Sequence, residues 1–161
     1  MAGIVHQALA PFTLKGFYLL TWGAALGTNL WQSLSSIEQL KSLSRDQFVS
    51  LQSKVAPAYF ATSTALTGTL LLTHLYFHPS LLSSPLKSPH WYQLEEGVQA
   101  ILIATAFVPQ LINLLVRPQD SGPSLEKGAA EAKPTALQGL AAALNSVSAL
   151  ALIGLGLAVS M

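Results

Sequence analysis

Four apolar stretches of about 20 residues or more divide this 161-residue chain, leaving only short polar connections between them. A helix rising about 1.5 Å per residue crosses a hydrocarbon core of about 30 Å in that length. Lipid offers the backbone no hydrogen-bond partner, so each stretch must satisfy its own peptide groups as a helix. The predicted fold is all-α: an integral membrane four-helix bundle with helices at approximately 12–36, 45–77, 89–116 and 135–160. Four spans and three connections use up the whole length. One domain, 1–161, is therefore expected, with a flexible polar loop at 118–133.

Composition agrees. The chain is 51% hydrophobic and 9% charged, against roughly 25% charged residues in a soluble domain. A net charge of +1, with no basic patch interleaved with aromatics, excludes nucleic acid as an expected partner. The lipid bilayer is the expected partner, and a second copy or another membrane protein would be the next. The absence of cysteine excludes disulfides, thiolate metal sites and thiol nucleophiles. The opening MAGIVHQALAP has neither a basic n-region nor a small-residue cleavage site, so no cleaved signal peptide is expected.

The first helix, FTLKGFYLLTWGAALGTNLWQSLSS, has two kinds of face. Gly16, Gly23 and Gly27 recur at spacings of seven and four, a small-residue pattern that admits a neighbouring helix. Asn29, Gln32 and Ser36 form a polar row that must meet protein rather than lipid. Glu38 to Ser53 reads as an extramembrane loop, within which Ser44-Arg45-Asp46-Gln47 forms a capping box for the second helix. That helix places Tyr59 and Phe60 at interfacial depth and sets Thr64, Thr67, His74 and His78 on one face. The third helix carries a polar stripe, Glu95, Gln99, Gln110, Asn113 and Arg117, and is expected to kink at Pro109. The fourth opens on the capping box Thr135-Ala136-Leu137-Gln138, packs through Gly139, and turns Gln138, Ala142, Asn145, Ala149 and Gly156 to one side.

The lysines and arginines set an orientation. Lys41, Arg45, Lys54, Arg117, Lys127 and Lys133 flank the first and third connections, against Lys15 and Lys87 elsewhere. The positive-inside rule therefore makes the connections 38–55 and 117–133 cytosolic. An intracellular membrane such as the endoplasmic reticulum is the expected location.

Between the first two helices, SLSRDQFVSLQSKVAPAYF resembles the transmembrane protein 205-like family, whose pattern here is Arg45, Phe48, Gln52, Ser53, Lys54, Pro57, Tyr59 and Phe60, preceded by Trp22, Gly23 and Trp31. Gly139 and Asn145 match a further pattern of that family in the last helix. The resemblance implies a multi-pass, four-helix membrane protein of undefined biochemical activity. Gln138 stands where the family pattern carries histidine, so no role of that histidine is carried over.

No nucleophile, base and acid arrangement and no phosphate-binding glycine loop occurs. Glu95 and Glu96 are adjacent and point about 100° apart on a helix, which prevents them from sharing one substrate. The expected function is non-enzymatic and without cofactor: an accessory or solute- and transport-related membrane protein. A first alternative is a copper- or haem-binding protein in which His74 and His78, one turn apart, are joined by His90 or Glu95. A second is a helix-packing scaffold within a membrane complex. The set that most invites a functional reading is an intramembrane seam of Asn29, Gln32, Thr64, Gln110, Asn113, Gln138 and Asn145. Each helix contributes to it, either as an interhelical amide network or as a polar vestibule.

Overall fold

The computed structural model describes residues 13–82, 95–116 and 136–160, the side chains at 116, 136–140 and 160 excepted. Four long helices account for nearly all of them: α1 (Leu14–Ser42), α2 (Arg45–Phe77), α3 (Glu95–Val116) and α4 (Ala136–Ser160). The loop 118–133, His90 and the expected start of the third helix at 89 lie outside the described residues.

Local chemistry explains the boundaries. Thr13 caps α1 by accepting from the Gly16 N–H at 3.0 Å. The helix was expected to stop near Ser36, yet it continues to Ser42. Nothing between those residues breaks a helix: Glu38 and Lys41 lie 4.0 Å apart one turn along, and Ser42 Oγ donates to the Glu38 carbonyl. The reading of 38–55 as a loop is corrected accordingly, since two helix ends meet there through Leu43 and Ser44 alone. The Ser44 capping box forms with both of its bonds, the Gln47 N–H to Ser44 Oγ and the Ser44 N–H to Gln47 Oε1. Both α2 and α3 run on through internal prolines, Pro57 and Pro109.

The helices form an up-and-down ring in which α1 packs on α2 and α4, and α3 packs on the same two. Antiparallel register shows in the pairs. Asn29 meets Ser63 and Gln32 meets Gln52 between α1 and α2, whereas Ala106 meets Ser148 and Asn113 meets Ala141 between α3 and α4. Two apolar clusters divide the interior. One joins Tyr18, Ala25, Leu70, Ile103, Ala106, Ala151, Leu152 and Leu155; the other joins Ala56, Tyr59 and Phe60 with Leu114 against them.

Between the clusters the interior is polar, and the outside is apolar. Asn29, Ser63, Thr67, Gln110 and Ser148 have no exposed surface, while Leu20, Trp31, Leu34, Leu72, Leu115 and Leu150 are largely exposed. That inversion suits a hydrocarbon solvent, which tolerates leucine outside but not an unpaired amide. The segments Arg45–Phe77, Glu95–Leu115 and Ala141–Val159 are each long and apolar enough to cross a membrane. The chain is thus a membrane protein with three candidate spans among the described residues. The longer-than-expected α1, with Asn29, Gln32, Glu38 and Lys41 in its sequence, is not among those three.

Candidate functional site

The polar layer is built by one or two side chains from every helix. Asn29 and Ser33 stand one turn apart on α1, and Tyr59 and Ser63 one turn apart on α2, so each pair projects from a single stripe. Gln110 enters from α3 and Asn145 from α4.

The bond directions follow from backbone carbonyls, which only accept. Asn29 Nδ2 donates to the Ala25 carbonyl at 3.1 Å and to Ser63 Oγ at 3.2 Å, which turns Asn29 Oδ1 toward the centre. Ser33 Oγ donates its one proton to the Asn29 carbonyl at 2.9 Å, so it accepts from Asn145 Nδ2 at 3.0 Å. Asn145 Oδ1 therefore also faces the centre. Gln110 Nε2 gives one proton to each of these oxygens, at 3.2 Å to Asn29 and 3.1 Å to Asn145. The Tyr59 hydroxyl lies within bonding reach of both as well, at 3.0 Å from Asn29 Oδ1 and closer still to Asn145 Oδ1. One phenolic proton thus has two acceptors.

This arrangement leaves Gln110 Oε1, on a side chain with no exposed surface, without a partner among the described residues. The hydroxyls of Tyr18 and Thr64 share that condition. Every other amide group of the layer is paired. Net, each such interhelical bond in a membrane is worth about 0.6 kcal/mol on average, but removing one partner strands the other at about 1–3 kcal/mol.

The structure brings Asn29, Gln110 and Asn145 of the expected seam together in one bonded layer, while Gln32, Asn113 and Thr64 make no direct bond to it. Gln32 belongs to a second cluster near the α1–α2 junction, where its Nε2 donates to Ser36 Oγ at 3.2 Å and to Gln52 Oε1 at 3.4 Å. Asn113 is buried farther along α3, where its Nδ2 donates to the Ala141 carbonyl at 3.5 Å. Thr64 is half-buried on α2, and the Gln138 side chain lies outside those described. Tyr59, Ser33 and Ser63 are the members that the sequence reading missed. Their signal was present in the four-residue steps Asn29 to Ser33 and Tyr59 to Ser63 to Thr67. Residue type alone puts Tyr59 at the interface, whereas its hydroxyl sits at the centre of the bundle.

Of the glycines expected at helix contacts, Gly23 and Gly27 are exposed, with nothing within 4 Å of where a Cβ would stand. Gly16 lends its N–H to the α1 cap, and the surroundings of Gly139 lie outside the described residues. The close approaches occur instead at Gly156 against Trp22 and at Gly68 against Phe107.

His74 and His78 pack ring on ring, with centroids 4.8 Å apart. His74 is buried and its Nε2 donates to the Glu96 carbonyl at 3.0 Å, which engages it in the α2–α3 contact. His78 Nδ1 lies 3.7 Å from the carboxylate of Glu96, while Glu95 points outward. No group of three or more His, Cys, Asp or Glu among the described residues is arranged to hold a metal ion. Two grooves lie at the periphery: one of about 770 Å³ beside Trp31, Leu34 and Leu51, and one of about 480 Å³ beside Lys15, Tyr18 and Trp22. Neither is lined by Asn29, Tyr59, Gln110 or Asn145.

A family model described as "Domain of unknown function (DUF4149)" matches residues 20–118, more than half of the chain. The match takes in Asn29, Tyr59, Ser63 and Gln110 and ends before α4 and Asn145. It does not name the transmembrane protein 205-like family. No curated protein and no solved structure matches the chain.

Proposed function

We propose that this chain, which belongs to the DUF4149 family, is a non-enzymatic accessory protein of a membrane, a single domain whose four helices are locked together by the Asn29–Tyr59–Gln110–Asn145 network. The observation that carries the reading is the direction of these bonds. The two central carbonyl oxygens take their protons from Tyr59 and Gln110 of the same layer, and neither peripheral groove leads to them. In this reading α1 also lies in the bilayer, which is supported by its exposed Leu19, Leu20, Leu30, Trp31, Leu34 and Ile37. Its outward Gly23 and Gly27 leave a flat face suited to a second copy or another membrane protein.

The motif from Arg45 to Phe60 supports kinship with the transmembrane protein 205-like family and falls inside the matched segment. The basic residues Lys41, Arg45 and Lys54 support a cytosolic α1–α2 junction, and an internal membrane such as the endoplasmic reticulum is the proposed location. A second reading, solute handling at the polar layer, is favoured by one observation: the unpartnered, fully buried Gln110 Oε1.

The absence of native cysteine makes the test direct. Ser63→Cys places a thiol of nearly the same shape in the layer. A locked centre predicts no reaction with a water-soluble thiol reagent until the protein is unfolded. Rapid labelling of the folded protein would favour the solute-handling reading instead.

A further inference from the structure

We infer that an internal water molecule is bound between α2 and α3, accepting from the Thr64 hydroxyl and donating to Gln110 Oε1. Both atoms are buried, and both lack a partner among the described residues. The packing of the two helices brings them level. Phe60, Thr64 and Gly68 follow at four-residue steps on α2, and Phe107, Gln110 and Leu114 at steps of three and four on α3, so each trio forms one stripe. The stripes face each other at both ends. A Cβ on Gly68 would stand 3.2 Å from the Phe107 ring, and Leu114 packs against the Ala56–Tyr59–Phe60 cluster. Antiparallel register then sets Thr64 opposite Gln110, midway between those contacts.

The chemistry at that level selects the ligand. Gln110 Oε1 is an acceptor that cannot be turned round, because its Nε2 is held by Asn29 Oδ1 and Asn145 Oδ1. It needs a donor. The Thr64 hydroxyl has a proton to give, yet it makes no direct bond to Gln110. A molecule that donates and accepts at once satisfies both, and water is the smallest that does. In a bundle surrounded by lipid the alternative is two stranded polar groups, since hydrocarbon supplies neither donor nor acceptor. The inference rests on the closed centre described above. Its failure is distinguishable from the failure of that reading, because one enclosed water gives a thiol reagent no access to position 63.

The test is the sign of the change on Thr64→Val, a substitution that keeps shape and removes only the hydroxyl. With the water in place, the variant loses a bridged bond, and its melting temperature in detergent falls by about 2–4 °C. A hydroxyl with no partner predicts the opposite, because removing a stranded group raises the melting temperature or leaves it unchanged; either result overturns the inference. Repeating Thr64→Val in a Gln110→Leu background checks the partner. The fall should vanish there, and a fall that persists would show the hydroxyl bonded elsewhere and overturn the inference as well. Should Gln110→Leu fail to fold, Gln110→Met, which keeps the length of the side chain and also removes Oε1, serves as the background.

Discussion

Trp22 lies across Gly156, its indole occupying the place a side chain there would need, and its Nε1 donates to the Leu152 carbonyl at 2.9 Å. The absent side chain on α4 is what lets α1 approach closely enough to make a side-chain-to-backbone bond in the upper half of the bundle. Gly156→Ala should push the ring away and break that bond, lowering stability by about 1–3 kcal/mol. Gly23→Ala and Gly27→Ala meet open space and should be neutral or slightly stabilising, since alanine is the better helix former by about 1 kcal/mol. Thermal unfolding in detergent compares the three, and tryptophan fluorescence in a Trp31→Phe, Trp91→Phe background follows Trp22 itself.

Tyr59→Phe removes one proton that two carbonyl oxygens share, while Gln110 Nε2 continues to supply one bond to each. The expected loss is modest, about 1 kcal/mol. Gln110→Leu removes two donors at once, and chemical or thermal unfolding should show it to be the more damaging change.

His74→Ala should cost more than His78→Ala. The first ring is buried and bonded to the Glu96 backbone, so its loss removes an interhelical bond and opens a gap between α2 and α3, although the Glu96 carbonyl keeps its own intrahelical bond; the second ring is half-exposed. Glu96→Gln should leave the His74 bond intact, because the acceptor is the main chain. Melting temperatures of the three variants check the order. Metal analysis of the purified native protein belongs beside them: copper, zinc or haem retained in stoichiometric amount would place His74 and His78 in a different role.

Much of the fold was legible because lipid imposes a coarse rule, a run of apolar residues closed by caps. Ser44 and Gln47 marked the start of α2 by the geometry of a capping box and formed it. The end of α1 was misread because Glu38, Gln39 and Lys41 look like loop composition, although charge does not break a helix and no glycine or proline follows before Ser44. At the site, Asn29, Gln110 and Asn145 stood out as amides in apolar runs, where lipid cannot serve them. Tyr59 did not, because tyrosine is at home at the interface as well as inside. Only the antiparallel pairing of α1 with α2 shows which of the two applies. The sequence sets Gly156 on the small and polar face of the fourth helix but does not show its contact with Trp22, since Gly23 and Gly27 offer the same residue type at a more familiar spacing and face outward.

The proposed orientation rests on the basic residues. An acceptor for glycosylation inserted near Lys127 should remain unmodified, and one placed after Met161 should be modified in a microsomal translation assay. The reverse pattern would invert the proposed topology.

The most direct measurement is a double-mutant cycle on Asn29→Leu and Asn145→Leu, read by thermal or denaturant unfolding. In either single variant the Tyr59 proton still has the other carbonyl oxygen, and only one Gln110 proton is stranded. In the double variant both Gln110 protons and the Tyr59 proton lose their acceptors together. A locked network therefore predicts that each single change destabilises by about 1–3 kcal/mol, and that the double change exceeds their sum by about 0.5–3 kcal/mol. Single changes that leave stability untouched, or a double change equal to their sum, would contradict the account.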